Sequence, residues 1–87
     1  MEYLVSPDVL SAKLSGETVL LDMRTKNYFQ LNATAARLWD SLERGRTVKE
    51  MVEELEELYA APAEQVELET RRLLTGLADR NLILERE

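Results

Sequence analysis

The residues of this 87-residue chain that can carry chemistry are carboxylates, guanidinium and ammonium groups and a few hydroxyls, because histidine and cysteine are both absent. Without histidine the sequence lacks the usual general base, the commonest metal ligand and the usual pH switch. Without cysteine it has no thiol nucleophile, no thiolate metal site and no disulfide. Carboxylates alone are abundant, with 17 Asp and Glu against 11 Lys and Arg. Their densest run, EMVEELEE from Glu50 to Glu57, sets the acids mostly opposite an apolar stripe, as on a solvated helix face. A catalytic pair of carboxylates needs burial in a cleft to separate its pKa values, and a chain this short has little room for both. No glycine-rich phosphate loop or metal-ligand spacing occurs. The expectation is a non-catalytic protein that uses no metal and no cofactor.

Charge narrows the partners. A net charge of -6 and a pI near 4.7 oppose binding to nucleic acid or an anionic membrane, which needs a positive field. The opening MEYLVSPDVL has no basic segment followed by a long apolar stretch, and no window approaches eighteen apolar residues. A soluble, cytoplasmic protein is expected.

The elements that must position any binding groups follow from periodicity. Residues 8–14 alternate, with Leu10, Ala12 and Leu14 on one face and Val9, Ser11 and Lys13 on the other. Ser15-Gly16-Glu17 marks a turn. Residues 18–23 (TVLLDM) are rich in β-formers and suggest a central strand buried on both faces. After the polar break Arg24–Asn27, residues 28–31 (YFQL) form a third strand. Three strands with two short turns imply an antiparallel meander with the third strand at an edge.

The remainder is helical. Asn32 caps a helix over residues 33–43 with Ala35, Leu38, Trp39 and Leu42 on its apolar face, and Gly45 ends it. Thr47 and Glu50 form a capping-box pattern for a second helix over 48–60, whose stripe is Val48, Met51, Val52, Leu55 and Leu58. Pro62 separates it from a third helix over 63–80, with Val66, Thr70, Leu73 and Leu77 on one face and Leu74 flanking them. Leu82-Ile83-Leu84 is an apolar tail that returns as a strand or packs on the core.

Trp39, beside Leu38 on an apolar face, is expected in the core, and Tyr59 at a helix end. Tyr28 and Phe29 are adjacent on a strand and so point to opposite faces. The outward ring is either an ordinary strand aromatic or a contact for a docked peptide. The edge itself carries the functional content. Tyr28–Leu31 contains neither charge nor proline, the usual devices that blunt an edge. Such an edge beside an amphipathic helix accepts an extended peptide as an added strand, unless the Leu82–Leu84 tail or a second copy covers it.

The succession LLDM, NYFQLN, ATAARLWDSLERGRTVKEMVEEL and LLTGLADRNLI resembles the PqqD-like family, the recognition elements for ribosomally made, post-translationally modified peptides (RiPPs). The resemblance runs from about Val9 to Leu84; Asn81 stands where members usually have glycine, and asparagine also tolerates the left-handed conformation. It implies an α+β, winged-helix-like fold, an N-terminal three-stranded antiparallel β-meander followed by three α-helices, with residues 1–87 forming a single peptide-binding domain. It further implies that the edge strand pairs with the leader segment of a precursor peptide while the last helix forms the opposite wall. Carried onto this sequence, the strand side is Lys26, Asn27, Tyr28, Phe29, Gln30 and Leu31. On the helix, Glu67, Thr70, Arg71 and Leu74 share one flank, expected here as the wall, with Lys26 and Arg71 set to meet leader carboxylates. Free-standing members of this length look most like those of lasso-peptide pathways, which serve a separate cysteine protease and a cyclase.

Three other roles fit parts of the sequence. A member that assists a radical SAM enzyme in pyrroloquinoline quinone biosynthesis has the same architecture. A winged-helix DNA-binding regulator shares the three helices, although Glu64, Glu67, Glu69 and Asp79 on the third suit a phosphate-lined groove poorly. A dimerisation module would use the same strand edge for self-pairing.

Overall fold

In a computed structural model, residues 2–86 are described. Strand β1 (Glu2–Val5) precedes a meander of β2 (Val9–Leu14), β3 (Glu17–Asp22) and β4 (Tyr28–Leu31). Helices α1 (Ala33–Glu43), α2 (Val48–Leu58) and α3 (Ala63–Asp79) follow, and β5 (Ile83–Arg86) ends the fold. The class is α+β, with antiparallel sheets ordered β2-β3-β4 and β1-β5.

The second sheet goes beyond the sequence reading. The apolar tail does return as a strand, and its partner is the chain's own beginning, with Val5 opposite Ile83 and Glu2 opposite Arg86. Strand β1 also serves a helix, since a Glu2 carboxylate oxygen accepts the Val48 amide at 3.1 Å and covers one free donor at the start of α2.

Local chemistry explains the helix bounds. Asn32 Oδ1 accepts the Ala35 amide at 2.8 Å. Thr47 and Glu50 cap α2 reciprocally, the Glu50 amide donating to the Thr47 hydroxyl at 3.1 Å and the Thr47 amide to the Glu50 carboxylate at 2.9 Å; hydrogen bonds from the Thr47 amide and hydroxyl hold the Glu50 carboxyl below its ordinary value. Helix α2 ends at Leu58, before the expected residue 60, because Tyr59 is already extended (φ -116°, ψ 113°). Helices α1 and α3 both close in Schellman turns. In the first, Gly45 has φ 75° and the Arg46 amide donates to Ser41; in the second, Asn81 has φ 59° and the Leu82 amide donates to Leu77.

The core lies between the helices and one face of the three-stranded sheet. Leu38, Trp39, Met51, Leu55, Val66, Leu74, Leu82 and Ile83 pack there against Leu20. Trp39 is core, as its spacing implies. The sheet departs from expectation on its other side. Thr18, Leu20 and Asp22 are buried, whereas Val19 and Leu21 are only half covered. Their cross-strand neighbours Leu10, Ala12, Tyr28 and Gln30 are exposed. No described element lies over that face, so TVLLDM is buried on one side rather than both.

Candidate peptide-binding groove

Strand β4 is an edge because its pairing with β3 is its only strand pairing among the described residues. The apolar tail that might have covered it pairs with β1 in the other sheet. Which backbone groups stay free follows from antiparallel alternation. The Asp22 amide donates to the Asn27 carbonyl at 2.9 Å, so every second residue from Asn27 turns its backbone to β3. Phe29 and Leu31 therefore bond inward, opposite Leu20 and Thr18. Tyr28 and Gln30 direct their N–H and C=O groups away from the sheet, unpaired. Their side chains lie on the outer sheet face, and Tyr28 is 72% exposed. Phe29 and Leu31 are half-buried toward the helices.

Beside this edge runs a cleft of about 550 Å³ with β4 as one wall and α3 as the other. On the helix side it is lined by Arg72, Leu73, Gly76, Leu77 and Arg80, with Ala35 at its floor. A clasp joins the two walls. The Arg24 guanidinium lies 3.4 Å from the buried Asp22 carboxylate, 3.7 Å from Asp8, and donates to the Asn81 carbonyl at 3.1 Å. It thereby ties the turn before β4 to the end of α3. Burial pushes the Asp22 carboxyl upward, but hydrogen bonds from the Arg24 amide and guanidinium, with the latter's charge, outweigh it and hold the group below its ordinary value.

Tyr28, Phe29, Gln30 and Leu31 line the cleft. Lys26 and Asn27 are exposed in the preceding turn, with Lys26 at φ 65°, and do not line it. The helix half of the expected site requires correction. Leu74 is 1% exposed and Thr70 is fully buried, its hydroxyl donating to the Val66 carbonyl at 2.8 Å. Glu67 and Arg71 pair with each other at 3.2 Å and line a different cleft, against Val52, Glu53 and Glu56 of α2. The reason is rotational. The buried stripe is Val66, Thr70, Leu74 and Leu77, and at about 100° per residue it leaves Glu67 and Arg71 on one flank and Arg72, Leu73, Gly76 and Arg80 on the other. Leu73 and Leu74 satisfy the apolar period equally well, so hydrophobicity could not choose between them. One signal for the helix face that lines this cleft was available in the sequence, a glycine within the helical segment, at Gly76.

A second, smaller hollow of about 160 Å³ opens beyond Leu73, between Thr34, Leu55, Tyr59 and Val66. The Thr34 hydroxyl donates to the Tyr59 hydroxyl at 3.1 Å across it.

Comparison with known proteins agrees with this fold. A solved structure described as TbiB1 in complex with the TbiA(beta) leader peptide is 33% identical, covering 97% of this chain and 98% of that one, with a TM-score of 0.91. Another, lasso peptide synthetase B1 complexed with the leader peptide, is 28% identical over 98% and 100% of the two chains, with a TM-score of 0.90. No curated protein matches. The family model described as Coenzyme PQQ synthesis protein D (PqqD) matches residues 17–83. The chain belongs to the PqqD family.

Proposed function

We propose that this chain is a non-catalytic recognition protein that binds the leader segment of a ribosomally made precursor peptide by strand addition at β4 and presents it to a processing enzyme. The observation that carries this is the unpaired edge at Tyr28 and Gln30 opposite the groove wall of α3. Backbone pairing supplies about 0.5–1.5 kcal/mol net per hydrogen bond, and each apolar leader side chain buried in the groove about 1.5–3 kcal/mol. Ordering the leader costs about 2–5 kcal/mol, which two or three anchors offset with enough left for micromolar affinity.

The lasso-peptide setting, with a separate cysteine protease and a cyclase as partners, is favoured by the two leader complexes that this chain resembles over nearly its whole length. Such a partner would meet an apolar outer sheet face, where Leu10 and Leu14 are 57% and 60% exposed and Leu10 lies in the same cross-strand row as Tyr28. A leader strand added to β4 would extend that face, so enzyme and substrate would meet on one surface. On this reading the chain acts in the cytoplasm, where ribosomally made precursors arise. Separately, no described helix is long and apolar enough to cross a membrane.

The test is a titration of the full chain into the fluorescein-labelled leader of the precursor encoded beside its gene, read by fluorescence polarisation. Saturable micromolar or tighter binding is expected, unchanged in order of preference by a scrambled competitor. Absence of binding overturns the proposal. A radical SAM gene in place of protease and cyclase genes next to it would move the role to quinone-cofactor biosynthesis.

A further inference from the structure

Gly76 sits in the last turn of α3, three residues before its end at Asp79, and glycine is the poorest helix former after proline. Neither its backbone nor the packing of this chain requires it. Its φ is not positive, unlike those of Gly16 and Gly45, and a Cβ built there would meet only the Arg80 Nη1 at 3.7 Å, an ordinary contact. The space over Gly76 belongs to the groove. Arg80, one helical turn on, is the second unusual feature. Its guanidinium donates to the Gly76 carbonyl at 3.3 Å. No ion pair to it is found among the described residues; Arg37 and Arg86 share that, but Arg72, the other arginine lining the groove, pairs with Glu69 at 3.3 Å. In a chain of net charge -6, an arginine in a groove with no carboxylate partner is an open counter-charge site.

Resting on the leader-binding reading, we infer that Gly76 and Arg80 form a subsite that takes an aspartate or glutamate of the docked strand. The side chain passes over the bare backbone at Gly76, and Arg80 exchanges its bond to the Gly76 carbonyl for a charge-assisted one to the carboxylate. Position along the groove follows from the clasp. Arg24 holds Asn81 beside the turn before β4, so Arg80 lies at the Tyr28 end and Leu73 at the other. Side chains of an added strand alternate. Only every second residue faces α3, which places the acid two or four residues from the apolar residue that rests against Leu73. The acidic surface elsewhere then repels an acidic leader that misses this subsite, which makes the local arginine a determinant of register as well as affinity.

A random 12-mer peptide library displayed on phage and panned against the immobilised full chain tests this without knowledge of the natural leader. The expected selection is an Asp or Glu at a fixed, even offset from an apolar residue. Arg80→Glu should replace that acid by Lys or Arg, and Arg80→Gln should weaken the wild-type-selected peptides about tenfold at low salt and remove the loss of affinity on adding salt that the wild type shows. Gly76→Leu should weaken them tenfold or more while its melting temperature stays at or above that of the wild type, a pairing that a merely structural role does not give. Selection of apolar peptides with no acid preference, or an unchanged preference in Arg80→Glu, overturns the subsite and leaves leader binding standing. Failure of the wild type to enrich any peptide that competes for the β4 edge overturns leader binding itself.

Discussion

Replacing Gln30 with proline removes one outward N–H from the β4 edge and leaves the rest of the strand in place. The ladder to β3 is untouched, because the inward bonds belong to Phe29 and Leu31, and proline is tolerated on an edge strand whose N–H faces solvent. Phe29, the residue before it, is already extended, as proline demands. The side chain contributes one exposed bond, from Gln30 Nε2 to Glu17 Oε2 at 2.7 Å, and Gln30→Thr removes that bond while keeping the N–H. The proline variant forfeits one backbone hydrogen bond and leaves a leader carbonyl facing a methylene group, together about 1–3 kcal/mol. Leader affinity should therefore fall roughly 5- to 150-fold by polarisation, while Gln30→Thr stays within about twofold and both keep the wild-type circular dichroism. Equal affinity for the proline variant, or an equal loss for threonine, would refute strand addition at this edge.

Further outcomes follow from the corrected helix face. Leu74→Asp should unfold the chain, at a cost above about 4 kcal/mol for a carboxylate at a core position, whereas Leu73→Asp should fold normally and lose about 10- to 100-fold in leader affinity; thermal melts and polarisation separate the two. Arg71→Glu should change leader affinity less than twofold, because the side chain lies in the α2–α3 cleft and its pair with Glu67 is exposed. Asp22 links folding to acid. Its folded carboxyl titrates below the ordinary aspartate value, so its stabilisation is fully present above that value and lost as pH falls through the folded pKa. Melting temperature scanned from about pH 2 to 6 should drop more steeply for the wild type than for Asp22→Asn.

Much of this was legible in the sequence for physical reasons. Capping residues announce themselves, as Asn32 and the Thr47–Glu50 box do, and the polar break at Arg24–Asn27 isolates a short uncharged strand. The β1–β5 sheet was not legible. Four residues at each end of the chain pair across the length of the molecule, and nothing local in EYLV distinguishes a strand from a frayed terminus. The helix wall failed for a subtler reason. Two adjacent leucines fit one hydrophobic period, and a choice between Leu73 and Leu74 turns the helix by about 100°, exchanging one flank for the other. Tertiary packing against the rest of the core made that choice, burying Leu74 and leaving Leu73 at the groove.

Residue-resolved amide hydrogen exchange tests the central claim most directly. In the free chain, Phe29 and Leu31 should be protected by β3 while Tyr28 and Gln30 exchange rapidly, and saturation with leader should slow those two amides selectively. Slow exchange of Tyr28 and Gln30 in the free protein, or no change when leader is bound, would contradict it.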